Sequence, residues 1–179
     1  MKFERLVVGG IETNCYIVKS GRVGIIIDPG ADADRIIEKA SGFDIILILI
    51  THRHFDHIGA LEEVKEAVDA PVAVHPLDRI EGCDIELKDN QKIKFGEEVL
   101  RVIHTPGHTP GGCCFLVGNI LFSGDTLFPN GPGNTSFSGS NEQAILRSIR
   151  EKLLVLPDET EVYPGHGAST TIGREKGVY

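Results

Sequence analysis

Three of the chain's seven histidines fall within six residues, in the stretch Thr51-His52-Arg53-His54-Phe55-Asp56-His57. In extended backbone, residues i and i+2 point the same way, so His52 and His54 can grip one object together. Asp56 lies in the same phase, while His57 falls after a turn and faces a second direction. Two imidazoles one way and an aspartate with a histidine another way suit two neighbouring metal ions. The bland alternative is a polar loop of surface histidines, and so tight a cluster in 179 residues argues against it.

Zinc takes about four ligands, one of which can be water, so this cluster cannot complete two sites alone. Other candidates stand at other strand ends: His108 in "TPGHTPGG", Asp125 in "FSGDTLF", His166 in "YPGHG" and Asp28 in "IIDPG". Each follows an apolar run and sits beside glycine or proline, in the kind of loop where layered α/β folds carry their sites. Singly, each could be a turn residue. Together, they supply what the first cluster lacks.

The elements that must position these residues can be read from periodicity. Strands are expected at Leu6–Val8, Cys15–Val18, Gly24–Ile27, Ile45–Ile50, Pro71–His75, Val99–His104, Cys113–Val117, Ile120–Phe122 and Glu161–Tyr163. Helices are expected at Ala33–Ala40, Ile58–Val68 and Glu142–Leu154, with a short one near the C-terminus. The run Ile45–Ile50 does not alternate, so both its faces should be buried. Strands followed by helices in two successive blocks predict a layered sandwich, expected as one domain over residues 1–179.

Composition excludes several functions. A net charge of −8 and the lack of a Lys/Arg cluster argue against nucleic acid as partner. The longest wholly apolar run, Ile45 to Ile50, is far short of the ~20 residues a membrane span needs, and the N-terminus does not read as a signal peptide. A cytoplasmic location with reduced thiols is therefore expected. The four cysteines have neither zinc-ribbon nor CxxC spacing, and Cys15, Cys113 and Cys114 read as packing residues. His75 reads as structural or surface, whereas His104, four residues before His108, is a candidate for orienting that neighbour.

H-x-H-x-D-H followed in order by G-H-T, G-D-T and G-H resembles the metallo-β-lactamase fold of hydrolases, specifically its glyoxalase II-like (hydroxyacylglutathione hydrolase-like) branch. The resemblance runs from "TNCYIV" to "YPGHG", nearly the whole chain. It implies an α+β, four-layer αβ/βα sandwich with the site at one edge of the sheets. It implies that His52, His54 and His108 hold one metal, that Asp56, His57 and His166 hold a second, and that Asp125 bridges them. Asp28 would orient the ligand loop from behind. The implied cofactors are two divalent metal ions, zinc first, with iron or manganese as alternatives.

The implied reaction is hydrolysis of a small-molecule thioester or ester. Two cations ~3.5–4 Å apart can lower the pKa of a shared water from ~15.7 towards ~7, leaving hydroxide to attack the acyl carbonyl. Asp56 would pass a proton and so count as catalytic, and no cysteine nucleophile is required. Two departures separate the chain from glutathione-specific relatives. Gly133-Asn134-Thr135-Ser136 stands where short members commonly read G-R-T-D, and only Arg174, Lys176 and Tyr179 follow His166 where longer members carry a glutathione-gripping domain. Broad thiol tolerance is therefore expected. The alternatives are a persulfide dioxygenase with a single iron on His52, His108 and Asp125, a lactonase, and a non-catalytic metal-binding protein. β-Lactamase is disfavoured because no cysteine occupies a ligand position.

Overall fold

Alternating side chains along the strands dictate the layering. On β3 (Val23–Ile27), Ile25 and Ile27 enter one core while Ile26 enters another, and on β9 (Cys113–Val117) Cys113, Phe115 and Val117 turn away from Cys114. A strand that buries both faces needs a layer on each side, and the computed structural model, which describes residues 1–179, supplies them.

The first sheet has the order β1 (Lys2–Val8), β2 (Thr13–Ser20), β3, β4 (Asp44–Leu49), β5 (Val72–Val74) and β6 (Ile85–Glu86). The β1–β2–β3 meander is antiparallel, and β3, β4, β5 and β6 then run parallel. The second sheet comprises β7 (Lys92–Phe95), β8 (Glu98–His104), β9, β10 (Ile120–Gly124), β13 (Glu161–Pro164) and β14 (Thr170–Thr171) in spatial sequence. Only β10 and β13 are parallel there. A two-stranded ribbon, β11 (Leu127–Phe128) with β12 (Gly131–Pro132), stands apart.

Helices α1 (Ala33–Ala40) and α3 (Leu61–Val68) cover the first sheet through Ile36 and Val64. Helix α4 (Glu142–Ser148) covers the second through Ile145, and α5 (Ile172–Glu175) adds Ile172. Between the sheets lie Tyr16, Ile25, Leu49, Leu100, Phe115 and Phe122. The result is the expected four-layer sandwich.

Three local expectations change. The single helix expected over Ile58–Val68 is two: α2 (Phe55–Ile58) and α3, parted at Gly59 and Ala60. A Cβ on Gly59 would lie 2.5 Å from the Gly30 carbonyl, so a close backbone crossing breaks the helix where periodicity runs on. The helix expected to Leu154 is α-helical only to Ser148 and continues as a π-turn over Ile149–Leu153, which keeps Ile149 and Leu153 buried. Within the apolar run, Ile46 is 40% exposed, so β4 is covered on both faces except at that end.

Candidate metal centre

Every candidate ligand leaves the C-terminal end of a strand at the same edge of the sandwich. Strand β4 delivers His52, His54 and helix α2 with Asp56 and His57; β8 delivers His108; β10 delivers Asp125; β13 delivers His166. The turn after β3 is the tightest. Asp28 takes a left-handed conformation (φ 52°) while 1% exposed, and a Cβ on Gly30 would lie 1.7 Å from the Asp56 carbonyl oxygen. A non-glycine residue held there is strained by about 1–3 kcal/mol, offset here by what its carboxylate binds.

The Asp28 carboxylate accepts hydrogen bonds from the Thr51 amide (2.7 Å), the Thr51 hydroxyl (2.6 Å) and His57 Nδ1 (2.8 Å). Thr51 Oγ1 in turn lies 3.0 Å from His52 Nδ1. One buried carboxylate thus orients two imidazoles, leaving Nε2 of each turned inward. His108 is fixed similarly, by a 2.7 Å hydrogen bond from Nδ1 to the Asn134 backbone carbonyl. His166 Nδ1 lies 3.2 Å from the Ile11 carbonyl at the β1–β2 turn.

The inward atoms converge. His54 Nδ1 lies 3.1 Å from His52 Nε2 and 2.9 Å from His108 Nε2. His57 Nε2 lies 3.4 Å from Asp56 Oδ2, and His166 Nε2 lies 3.1 Å from the same oxygen. Asp125 stands between the groups, with Oδ1 3.5 Å from His57 Nε2 and Oδ2 3.5 Å from His108 Nε2 and 3.7 Å from His166 Nε2. Three groups of ligand atoms within 4.8 Å of one another result: His52/His54/His108, Asp56/His57/His166, and His52/His57/Asp125.

Two buried atoms at the middle of this cluster, His57 Nε2 and Asp125 Oδ1, have no hydrogen-bond partner. A buried polar group without a partner costs about 1–3 kcal/mol, so this edge fits a cation better than it fits itself. The donors are imidazole nitrogens and carboxylate oxygens, which suit zinc, iron or manganese.

Charge divides the cluster. Burial, then the neighbouring His57 and His108, push the His52 pKa well below its ordinary value, and burial also lowers that of His54. Burial also opposes charge on His57, but Asp28, Asp125 and Asp56 override it and push its pKa up to about 9. For Asp56, hydrogen bonding by His166, the charge of His57 and the Thr13 hydroxyl (3.0 Å) overcome burial and hold the carboxyl well below the usual range.

Three contributors escaped sequence reasoning. Thr13 binds Asp56 and pairs in a bridge with His166; its only signal was its place in "TNCYIV". Phe137 is 50% exposed, with its ring 5.1 Å from that of His54 and 5.7 Å from that of His108. Asp78 is wholly buried between two ligand loops. The two remaining histidines stack on each other outside the cluster, His75 on His104 at 3.9 Å. His104 Nε2 lies 3.0 Å from the Pro110 carbonyl, touching the His108 loop but not His108. Cys15, Cys113 and Cys114 are buried strand residues, and Lys176 turns to Asp158 and the Leu156 carbonyl.

The molecule has known counterparts. A family model described as the metallo-beta-lactamase superfamily matches residues 8–166. The "Probable metallo-hydrolase YqgX" of Bacillus subtilis is 36% identical, covering 98% of this chain and 95% of its own. "Hydroxyacylglutathione hydrolase GloC" of Haemophilus influenzae is 32% identical with the same coverage. Among solved structures, the BLEG-1 B3 metallo-beta-lactamase superposes with a TM-score of 0.90 at 35% identity, covering 98% of this chain and 97% of its own. ETHE1 from Myxococcus xanthus gives 0.91 at 30%, covering 98% and 82%. TTHA1623 in a di-iron-bound form gives 0.85 at 34%, covering 97% and 96%. Similarity of this extent, on a fold whose strand ends gather histidines and aspartates at one edge, means that the chain belongs to the metallo-beta-lactamase superfamily, a superfamily of metallo-hydrolases.

Proposed function

We propose that the protein is a dinuclear-metal hydrolase of small-molecule thioesters, in the glyoxalase II-like branch. The observation that carries this reading is the pair of ligand sets meeting at Asp125, with His57 Nε2 and Asp125 Oδ1 buried and unpartnered between them. His52, His54 and His108 would hold one ion, Asp56, His57 and His166 the other, and Asp125 both. Zinc is the first choice, with iron or manganese as alternatives. Bound there, the ions would supply Lewis acidity to water and to an acyl carbonyl.

The chain's own residues do the rest. Asp28, Thr51 and the Asn134 carbonyl fix which nitrogen of each imidazole faces inward. Asp56, held as a carboxylate and aligned by Thr13, is placed to accept a proton and hand it on. Phe137 lies against His54 and His108 and offers an apolar surface to the substrate. Asn134 spends its backbone on His108 and its side chain on the Ser136 amide, so the loop presents no cation to a substrate carboxylate. That supports broad thiol tolerance. The similarity to GloC supports the thioester class.

A persulfide dioxygenase on one iron would use His52, His108 and Asp125 and leave Asp56, His57 and His166 without a role. The deciding experiment is metal analysis of the purified protein followed by a thioester panel with oxygen uptake monitored. Two metals per chain and hydrolysis without oxygen consumption are expected. One tightly bound iron, with oxygen consumed on persulfide addition, would overturn the reading.

A further inference from the structure

Asp78 has no place in the ligand sets, yet it is a fully buried carboxylate. It ends a short 3-10 turn, Pro76–Asp78, that follows β5, and its own amide donates to the His75 carbonyl (2.8 Å). One oxygen, Oδ1, accepts the Gly111 amide at 2.9 Å; the other, Oδ2, accepts the Arg53 amide at 3.3 Å. Arg53 lies between His52 and His54, and Gly111 lies three residues after His108. The Arg53 guanidinium is 4.0 Å away and half-exposed, too distant to be the main partner.

A buried carboxylate with so little compensation is costly unless its hydrogen bonds matter. The surroundings are shaped for them. A Cβ on Gly111 would lie 2.5 Å from the Asp78 nitrogen and 2.8 Å from its Cγ, so a glycine lets the loop reach the carboxylate.

We infer that Asp78 is a positioning residue for the three-histidine set: its two oxygens clamp the backbone of the His52–His54 loop to that of the His108 loop, presetting the spacing of the three ring nitrogens. It does for the backbones what Asp28 does for the imidazole rings. The inference rests on the ligand assignment proposed above, and it concerns only one of the two sets.

The test is a zinc titration of nitrogen-15-labelled protein, with chelator competition, read at individual imidazole nitrogens by NMR. Wild-type stoichiometry examines the ligand assignment; the difference between the two sets within Asp78→Asn examines the clamp. Asparagine keeps the shape but offers one acceptor instead of two. The zinc concentration that half-saturates His52, His54 and His108 should rise at least ~10-fold, within the range found for outer partners of metal ligands, while that for His57 and His166 moves less than ~3-fold. Arg53→Ala, which keeps the backbone amide, should change neither set by more than ~2-fold. Equal shifts in both sets of Asp78→Asn, no shift in either, or an Arg53→Ala loss as large as that of Asp78→Asn would overturn the inference. Should Asp78→Asn fail to fold, amide exchange on the wild type decides. The Arg53 amide should already be protected in chelator-treated protein; protection gained only on adding zinc would show that the clamp is not preset.

Discussion

The two ligand sets are built from opposite principles. In the His52/His54/His108 set, burial disfavours charge on His52 and His54, and backbone contacts hold the loops that carry the three histidines. The Asp56/His57/His166 set is charged: carboxylates surround His57 and hold a proton on it, and His166, partly exposed, lies between the Ile11 carbonyl and the Asp56 carboxylate. A neutral nitrogen set needs no counter-charge and can be preshaped. A charged set is stable as ion pairs without metal, and metal must displace them. The first should therefore bind earlier and depend less on pH than the second.

The harshest way to erase that contrast is to remove Asp125, the residue proposed to be shared by both. Asp125→Ala should drop kcat/KM by ~10³-fold or more, since a bridging ligand contributes several kcal/mol of Lewis-acid stabilisation. Metal analysis should show both sets weakened; two retained zinc ions would mean the sets are independent.

Acid should separate them next. With its pKa near 9, His57 carries a proton at neutral pH that zinc must displace. Affinity of its set should fall about tenfold per pH unit below pH 9, roughly 10²-fold by pH 7, while the three-histidine set changes much less. The sign for zinc-free stability is opposite. Because the pKa is raised above the unfolded value of about 6.5, the His57–Asp28 pairing contributes fully below that pH and is lost as pH rises through about 9. Chelator-competition titrations and thermal unfolding across pH 6–10 would check both; parallel pH slopes for the two sets would remove the distinction.

Asp28→Asn should cost about 10–100-fold in zinc affinity at the His57 set, the usual effect of losing an outer partner. The His52 side, reached only through Thr51, should lose less. The smallest effects belong to the thiols. Burial pushes Cys114 up to about 11 and Cys113 well above its ordinary value, so neither is a thiolate at neutral pH. Cys113→Ala or Cys114→Ala should leave turnover within about tenfold, and a larger loss with metal retained would point to cysteine chemistry.

The legible part of this molecule was whatever is local in sequence. H-x-H-x-D-H announces itself because its members are close along the chain, and the unbroken apolar run Ile45–Ile50 tells of a strand covered on both faces along most of its length. Asp78 and Thr13 gave no such signal, because each matters only through a partner brought up by the fold: Gly111 lies 33 positions from Asp78, and Asp56 lies 43 from Thr13. Phe137 was hidden for another reason. It lies in a loop without periodicity, and only the finished fold brings its ring to His54. The break at Gly59 was equally hidden, since hydrophobic spacing continues across it and the obstacle is the backbone of Gly30.

The way each set divides between the sheets has a mechanical meaning. His52 and His54 come from the first sheet's edge and His108 from the second; Asp56 and His57 come from the first and His166 from the second. Neither sheet alone carries a full set, so metal bound as proposed would act as a pair of rivets across the seam, and any separation of the two layers would release both. The protein's resistance to heat should therefore track free zinc: at a concentration a hundred times the dissociation constant, each rivet adds about 2.7 kcal/mol against unfolding. Starving the protein of metal would loosen the seam itself, at the one edge where its chemistry is assembled.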